Sequence, residues 1–183
     1  MFFRQSAVIN KPKPSKSQTV IDIIARRCAV SIGRRMENSD ALTIVRFLKH
    51  NDPTIRQEAL KVLARFSNQI THPYIGKGLT DTNLFVRIEA CRAIGRFKIH
   101  TLKEKLYDLL LTKSPLVVCA AAMALAQMGD KKGLSPVAKL VCIRGKHQVE
   151  AVNTLNYLTN KRFGLTALGI NEAIKWIAAN FRR

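Results

Sequence analysis

Acidic side chains are scarce in this chain: 12 Asp and Glu stand against 31 Lys and Arg, giving a formal charge of +19 and a pI near 10.4. The excess runs along the whole sequence and is larger than solubility requires. It favours polyanions or acidic protein surfaces as partners and says nothing direct about fold. Aromatics are also few, with eight Phe, three Tyr and one Trp, so the stacking platforms of a single-strand nucleic-acid binder are missing. No run of about eighteen apolar residues occurs, which argues against a membrane span. The start, Met1-Phe2-Phe3-Arg4-Gln5-Ser6, lacks the apolar core of a signal peptide. The four cysteines, Cys28, Cys91, Cys119 and Cys142, form no CxxC pair and no Cys/His cluster. Reduced, mostly packed thiols in the cytoplasm are therefore expected.

Catalytic patterns are equally thin. His50, His72, His100 and His147 are scattered and lack the spacing of metal ligands. There is no Gly-rich phosphate loop and no Ser/His/Asp arrangement that the sequence can locate. The reading is not an enzyme, with no cofactor, no metal and no small-molecule substrate expected.

What the chain does have is apolar material, 47% of its residues, enough for a packed core, and a repeat. Asp52-Pro53-Thr54-Ile55-Arg56-Gln57-Glu58-Ala59-Leu60 returns as Asn83-Leu84-Phe85-Val86-Arg87-Ile88-Glu89-Ala90-Cys91, a shift of 31 residues. The same step takes Leu63 to Ile94, Arg65 to Arg96 and Phe66 to Phe97. A third copy keeps apolar positions, Val117, Ala121, Leu125 and Met128, and drops every charge. A fixed period of this size marks a solenoid, whose units bury their apolar faces only by stacking on neighbours. Such a fold offers an extended surface rather than a deep cleft.

Residues 1–18 form a basic Pro/Ser-rich tail around Lys11-Pro12-Lys13-Pro14, of a composition that stays extended unless a partner orders it. Residues 19–183 form the repeat domain. Helical periodicity predicts pairs at about 20–36 with 40–49, 53–67 with 72–79, 84–98 with 101–111, 115–128 with 134–143, and 147–159 with 169–181. Pro53 and Pro115 suit first-turn positions, with Asp52 and Ser114 as N-caps before them. Gly129 and Asn160 suit helix ends. No useful strand alternation appears, so the fold class is all-α, a solenoid of about five helix pairs. Ala59, Leu63, Phe66, Ala90, Ile94, Phe97, Ala121, Leu125 and Met128 are expected between its layers.

These residues carry a resemblance. The Asp-Pro-x-Ile-Arg-x-x-Ala run at 52–59, Val86-Arg87-x-x-Ala90-x-x-x-Ile94-Gly95, and Ala124-Leu125-Ala126-Gln127-Met128-Gly129-Asp130 resemble HEAT repeats. More narrowly they are similar to the short bacterial HEAT-like type first associated with phycobilisome lyases. The resemblance covers residues 20–181 and implies a right-handed α-solenoid. It also implies that Arg56 and Arg87 serve inter-repeat contacts, and that the second helix of each pair lines the concave side. Two HEAT-like enzyme groups do not fit, since the chain has no His-Glu dipeptide for iron and its lone Trp176 belongs to the last helix.

Three surfaces are candidates for binding. Arg34, Lys61, Arg65, Arg92 and Arg96 fall in register as an outer basic stripe on first helices, although Glu58 and Glu89 stand one turn before Lys61 and Arg92 and give part of it an ordinary i,i+3 reading. Arg46, Lys77 and Lys139 form a second row on second helices, expected as the concave one and interrupted by Asp108. Val118, Cys119, Ala122 and Met123 lie on a helix that is apolar nearly all round, which reads as an apolar docking surface or as a helix covered from within. The resulting reading is a non-catalytic adaptor that binds an acidic protein partner within a multiprotein complex. The alternatives are a nucleic-acid binder acting on phosphate backbones and peripheral contact with an anionic membrane.

Overall fold

A computed structural model describes residues 43–65 and 69–181. Arg34, Phe66, Cys28, the tail at 1–18 and the helix expected at 20–36 lie outside the described residues, as does the expected boundary between residues 18 and 19. Among the described residues the chain is helical throughout, without strands. Eight α-helices lie wholly among the described residues: α1 (Pro53–Arg65), α2 (His72–Gly78), α3 (Leu84–Arg96), α4 (Lys103–Leu110), α5 (Pro115–Gln127), α6 (Leu134–Cys142), α7 (Gln148–Thr159) and α8 (Ala167–Asn180). Short 3-10 turns at Arg46–Lys49 and His100–Leu102 precede α1 and α4.

Local chemistry sets the helix ends. The Asp52 carboxylate accepts the Thr54 N–H at 2.8 Å, and the Asn83 side chain accepts the Phe85 N–H at 2.9 Å, so each satisfies an orphan donor of the first turn. Ser114 sits at the N-cap of α5 with an extended backbone but makes no side-chain cap bond, leaving Pro115 to start the helix. The C-terminal ends are more regular than the sequence suggests. Lys98, Gly129 and Asn160 have φ of 50°, 80° and 56°, and each stands one period from the next. At the first two, paired bonds close the helix: Ile99 N–H to Ile94 O with Lys98 N–H to Gly95 O, and Asp130 N–H to Leu125 O with Gly129 N–H to Ala126 O. These are Schellman ends, and left-handed residues at the same period close α3, α5 and α7. Gly129 and Asn160 are legible as stops; Lys98, a residue that pays a steric penalty there, is not.

The packing has a direction. α1 lies on α3, α3 on α5 and α5 on α7, so first helices form a continuous row; among the second helices α6 and α8 pack on each other. Small residues permit the close approach. A Cβ on Gly95 would fall 2.7 Å from the Ala124 backbone, so α3 and α5 meet there nearly backbone to backbone. Ala59, Leu63, Ala90, Ile94, Ala121 and Leu125 are fully buried between layers as the period predicts, whereas Phe97 and Met128 are only partly buried at its edge.

The buried side chains form two clusters that share α5. Val117, Ala121, Ala124 and Leu125 join the cluster built on α1–α4, and Cys119 and Ala122 join the one built on α6–α8. This is why α5 is apolar nearly all round. The last layer closes on aromatic contacts, with Phe163 and Phe181 at 5.8 and 6.1 Å from the Trp176 ring. The Asn156 carboxamide fixes the Phe163 backbone through both its N–H and its carbonyl at 2.9 Å. Trp176 is thus part of the packing of the final helix.

Candidate interaction surface

Two charged clasps hold the layers, and neither is free for a ligand. Arg56 donates from Nε and Nη2 to both oxygens of Asp81 at 2.8 Å, and from Nη1 to the carbonyls of His50 and Asn51. Arg87 repeats the second half of this pattern, donating to the carbonyls of Asp81 and Thr82 at 2.6 and 3.0 Å. Arg56 therefore ties the loop before α1 to the loop between α2 and α3, whereas Arg87 holds the loop that leads into its own helix. Burial opposes ionisation of Asp81, but the hydrogen bonds from Arg56 and the Asn83 N–H outweigh it and hold the carboxyl below its ordinary range. In the second clasp, Asp130 accepts from Tyr107 at 2.6 Å and pairs with Lys103 at 2.7 Å. Burial there is again outweighed, chiefly by Lys103 and Tyr107, and the carboxyl sits at about 2.

The cysteines are chemically quiet where they are buried. Desolvation pushes the Cys91 thiol up to about 12 and the Cys119 thiol up to about 11, so neither offers a thiolate nucleophile near neutral pH. Among the described residues no group of three or more His, Cys, Asp or Glu could hold a metal ion, and no helix is long and apolar enough to cross a membrane.

The exposed face of the first-helix row is different. Between α1 and α3 a hollow of about 400 Å³ is lined by Lys61, Arg65, Arg92 and Arg96 above Ala64, Ala93 and Phe97. Lys61 is tied to Glu58 at 2.6 Å, while Arg92 reaches Glu89 only at 4.0 Å and is 60% exposed. Arg65 and Arg96 are exposed and make no ion pair among the described residues. The hollow continues past α3 into a second one of about 370 Å³ between α3, α5 and α7, which shares Arg92 and Arg96. Four of the five stripe residues are therefore brought onto one surface, and Arg34 lies outside the described residues. The sequence columns identify the charges but not the hollows, the second of which depends on the short side chains of α5.

The second row is not gathered in this way. Arg46, Lys77 and Lys139 are all exposed, but Arg46 sits on a 3-10 turn and the Lys77 ammonium rests 5.5 Å from the Tyr74 ring. Lys139 borders a separate apolar hollow of about 920 Å³ with Cys142, Ile143, Ile177 and Phe181.

The apolar docking surface needs correction. Val118, Cys119 and Ala122 are 4%, 1% and 0% exposed, and Cys119 and Ala122 pack into the cluster of α6, α7 and α8 from within the chain. The connection before α6 approaches so closely that a Cβ on Gly133 would collide with the Ala122 Cβ. Only Met123 remains partly exposed, in the second hollow.

The family profile described as HEAT repeats matches residues 41–111 and, in a second register, residues 73–142. No curated protein matches the chain in sequence.

Proposed function

From the premise that the chain belongs to the HEAT-repeat family, whose members generally serve as protein-interaction scaffolds, we propose that it is a non-catalytic adaptor binding an acidic protein partner within a larger assembly. The observation that carries the reading is the run of Lys61, Arg65, Arg92 and Arg96 around two adjoining hollows on the first-helix face. The Arg65 and Arg96 guanidinium groups, which pair with no carboxylate among the described residues, attract one from outside, and their planar forks match it in two bonds. The mixture of charges with Ala64, Ala93 and Phe97 suits a folded protein surface, since protein interfaces combine apolar contact with Arg.

The packing also supports this face as the inner side of the stack. Helices on the short side of a bend must lie closest together, and here those are the first helices. That reading reverses the expected placement of Arg46, Lys77 and Lys139 on the concave side. Cys91, Cys119 and Cys142, free thiols in the structure, suit a reducing, cytoplasmic setting.

The test is recovery of partners from cells expressing the chain, with nuclease treatment throughout. The Arg92→Glu/Arg96→Glu variant is expected to lose its protein partner at least tenfold, with unchanged melting. The triple reversal of Arg46, Lys77 and Lys139 to Glu is expected to retain it. Partner retention by the double variant, or loss of all binding on nuclease treatment, removes the proposal.

A further inference from the structure

We infer that the hollow between α3, α5 and α7 seats one aromatic side chain presented by an acidic segment of the protein partner; this deepens the reading above and rests on it. The floor is made by α5. Ala120, Met123 and Gln127 stand one period after Glu89, Arg92 and Arg96, so this unit carries short or uncharged groups where the preceding one carries long charged ones. The result is a recess of about 370 Å³ with Ala120, Met123 and Ala124 at its base.

The walls differ in character. Arg92 and Arg96 rise from α3 on one side, and Glu150 and Tyr157 from α7 on the other. Tyr157 is 52% exposed, an aromatic edge that the chain's own packing leaves at the rim.

Met123, the two arginines and Tyr157 suit a ring better than an aliphatic chain. A thioether makes favourable contacts at aromatic edges and adapts to irregular shapes, guanidinium groups stack on ring faces, and Tyr157 can meet an incoming ring edge to face. Charge fixes the surroundings of that ring. Lys61, Arg65, Arg92 and Arg96 lie toward α1, against Glu58 and Glu89, so acidic residues of the partner belong on that side. Glu150 marks the opposite wall as one that repels them.

Fluorescence anisotropy on the full chain tests the inference with two labelled probes, a short Asp/Glu peptide containing a single central Phe and the same peptide with Ser in its place. The Phe peptide is expected to bind about tenfold tighter, the scale of burying one aromatic group in part. Ala120→Leu, which fills the floor, and Tyr157→Ala, which opens the rim at an exposed position, are each expected to erase that advantage and leave the Ser peptide unchanged. Equal binding of the two peptides to the wild-type chain, or a Phe advantage that survives both variants, overturns the inference while leaving acid recognition intact. Failure of both peptides to bind overturns the adaptor reading with it.

Discussion

Replacing Ala90 by Asp is expected to abolish cooperative unfolding. Ala90 is fully buried on α3, with Gly78 of α2 so near that a Cβ there would lie 3.0 Å from its own. An added carboxylate could neither reach water nor find a partner, and an unpaired charge in such a site costs more than about 4 kcal/mol. The position magnifies the loss. In a stacked fold each unit is stabilised mainly by its neighbours, and α3 is the helix through which α1 and α5 are coupled. A circular-dichroism melt should therefore show a broad, weak transition in place of a sigmoid. Arg92→Asp, on the exposed side of the same helix, should melt within roughly 0.5 kcal/mol of wild type. An Ala90→Asp variant that melts like the parent would show that the 31-residue register does not place Ala90 between layers.

The Asp81→Ala variant is expected to lose about 3 kcal/mol, a fall in Tm of roughly 6–12 °C. Arg56 and Asp81 are only 12% and 13% exposed and share a two-pronged bond, so removing the carboxylate strands a guanidinium rather than merely deleting a contact. Replacing both, as Arg56→Met with Asp81→Leu, should recover part of the loss, because no charge is then left without a partner.

The sign of the pH dependence follows from the same clasps. Asp81 and Asp130 titrate below the ordinary carboxyl value of 3.8 in the fold, Asp130 at about 2. The unfolded chain therefore takes up protons first on acidification. The stabilisation is complete above the ordinary carboxyl value and declines as pH falls from about 4 toward 2. Urea midpoints across that range should fall for wild type and fall less steeply for Asp81→Ala. Parallel profiles would mean that this clasp does not carry the acid sensitivity.

Much of the architecture is legible because the period repeats it. Ala59 and Ala90, or Leu63 and Ile94, identify the layer contacts twice over, and Asp52 and Pro53 mark a helix start by local chemistry alone. The inter-repeat role of Arg56 and Arg87 follows from the family resemblance; the Arg56 pair with Asp81 reaches the next unit, whereas the Arg87 bonds go to the loop that leads into its own helix. Other features need the third dimension. The apolar helix α5 reads equally well as a docking face or as a shared core element, and only the packing of α6, α7 and α8 decides that Cys119 and Ala122 are core. Lys98 carries no signal of its left-handed backbone, since neighbouring contacts rather than its own preference hold it there. The clasp of Asp130 by Tyr107 and Lys103 has no counterpart one period away, so the repeat could not reveal it. The α3–α5–α7 hollow depends on side-chain length at Ala120 and Ala124 relative to the flanking helices, a difference that a charge column does not register.

The central claim, that partners engage the exposed face of the first-helix row, is tested most directly by site-specific photo-crosslinking in living cells. Tyr157 and Ile143 provide a matched pair, 52% and 55% exposed, the first at the rim of the α3–α5–α7 hollow and the second beside Lys139. With benzoylphenylalanine at each position in turn, a nuclease-resistant protein adduct is expected from position 157, and none from position 143. An adduct formed from position 143 alone would contradict the claim and return the interaction surface to the second-helix row.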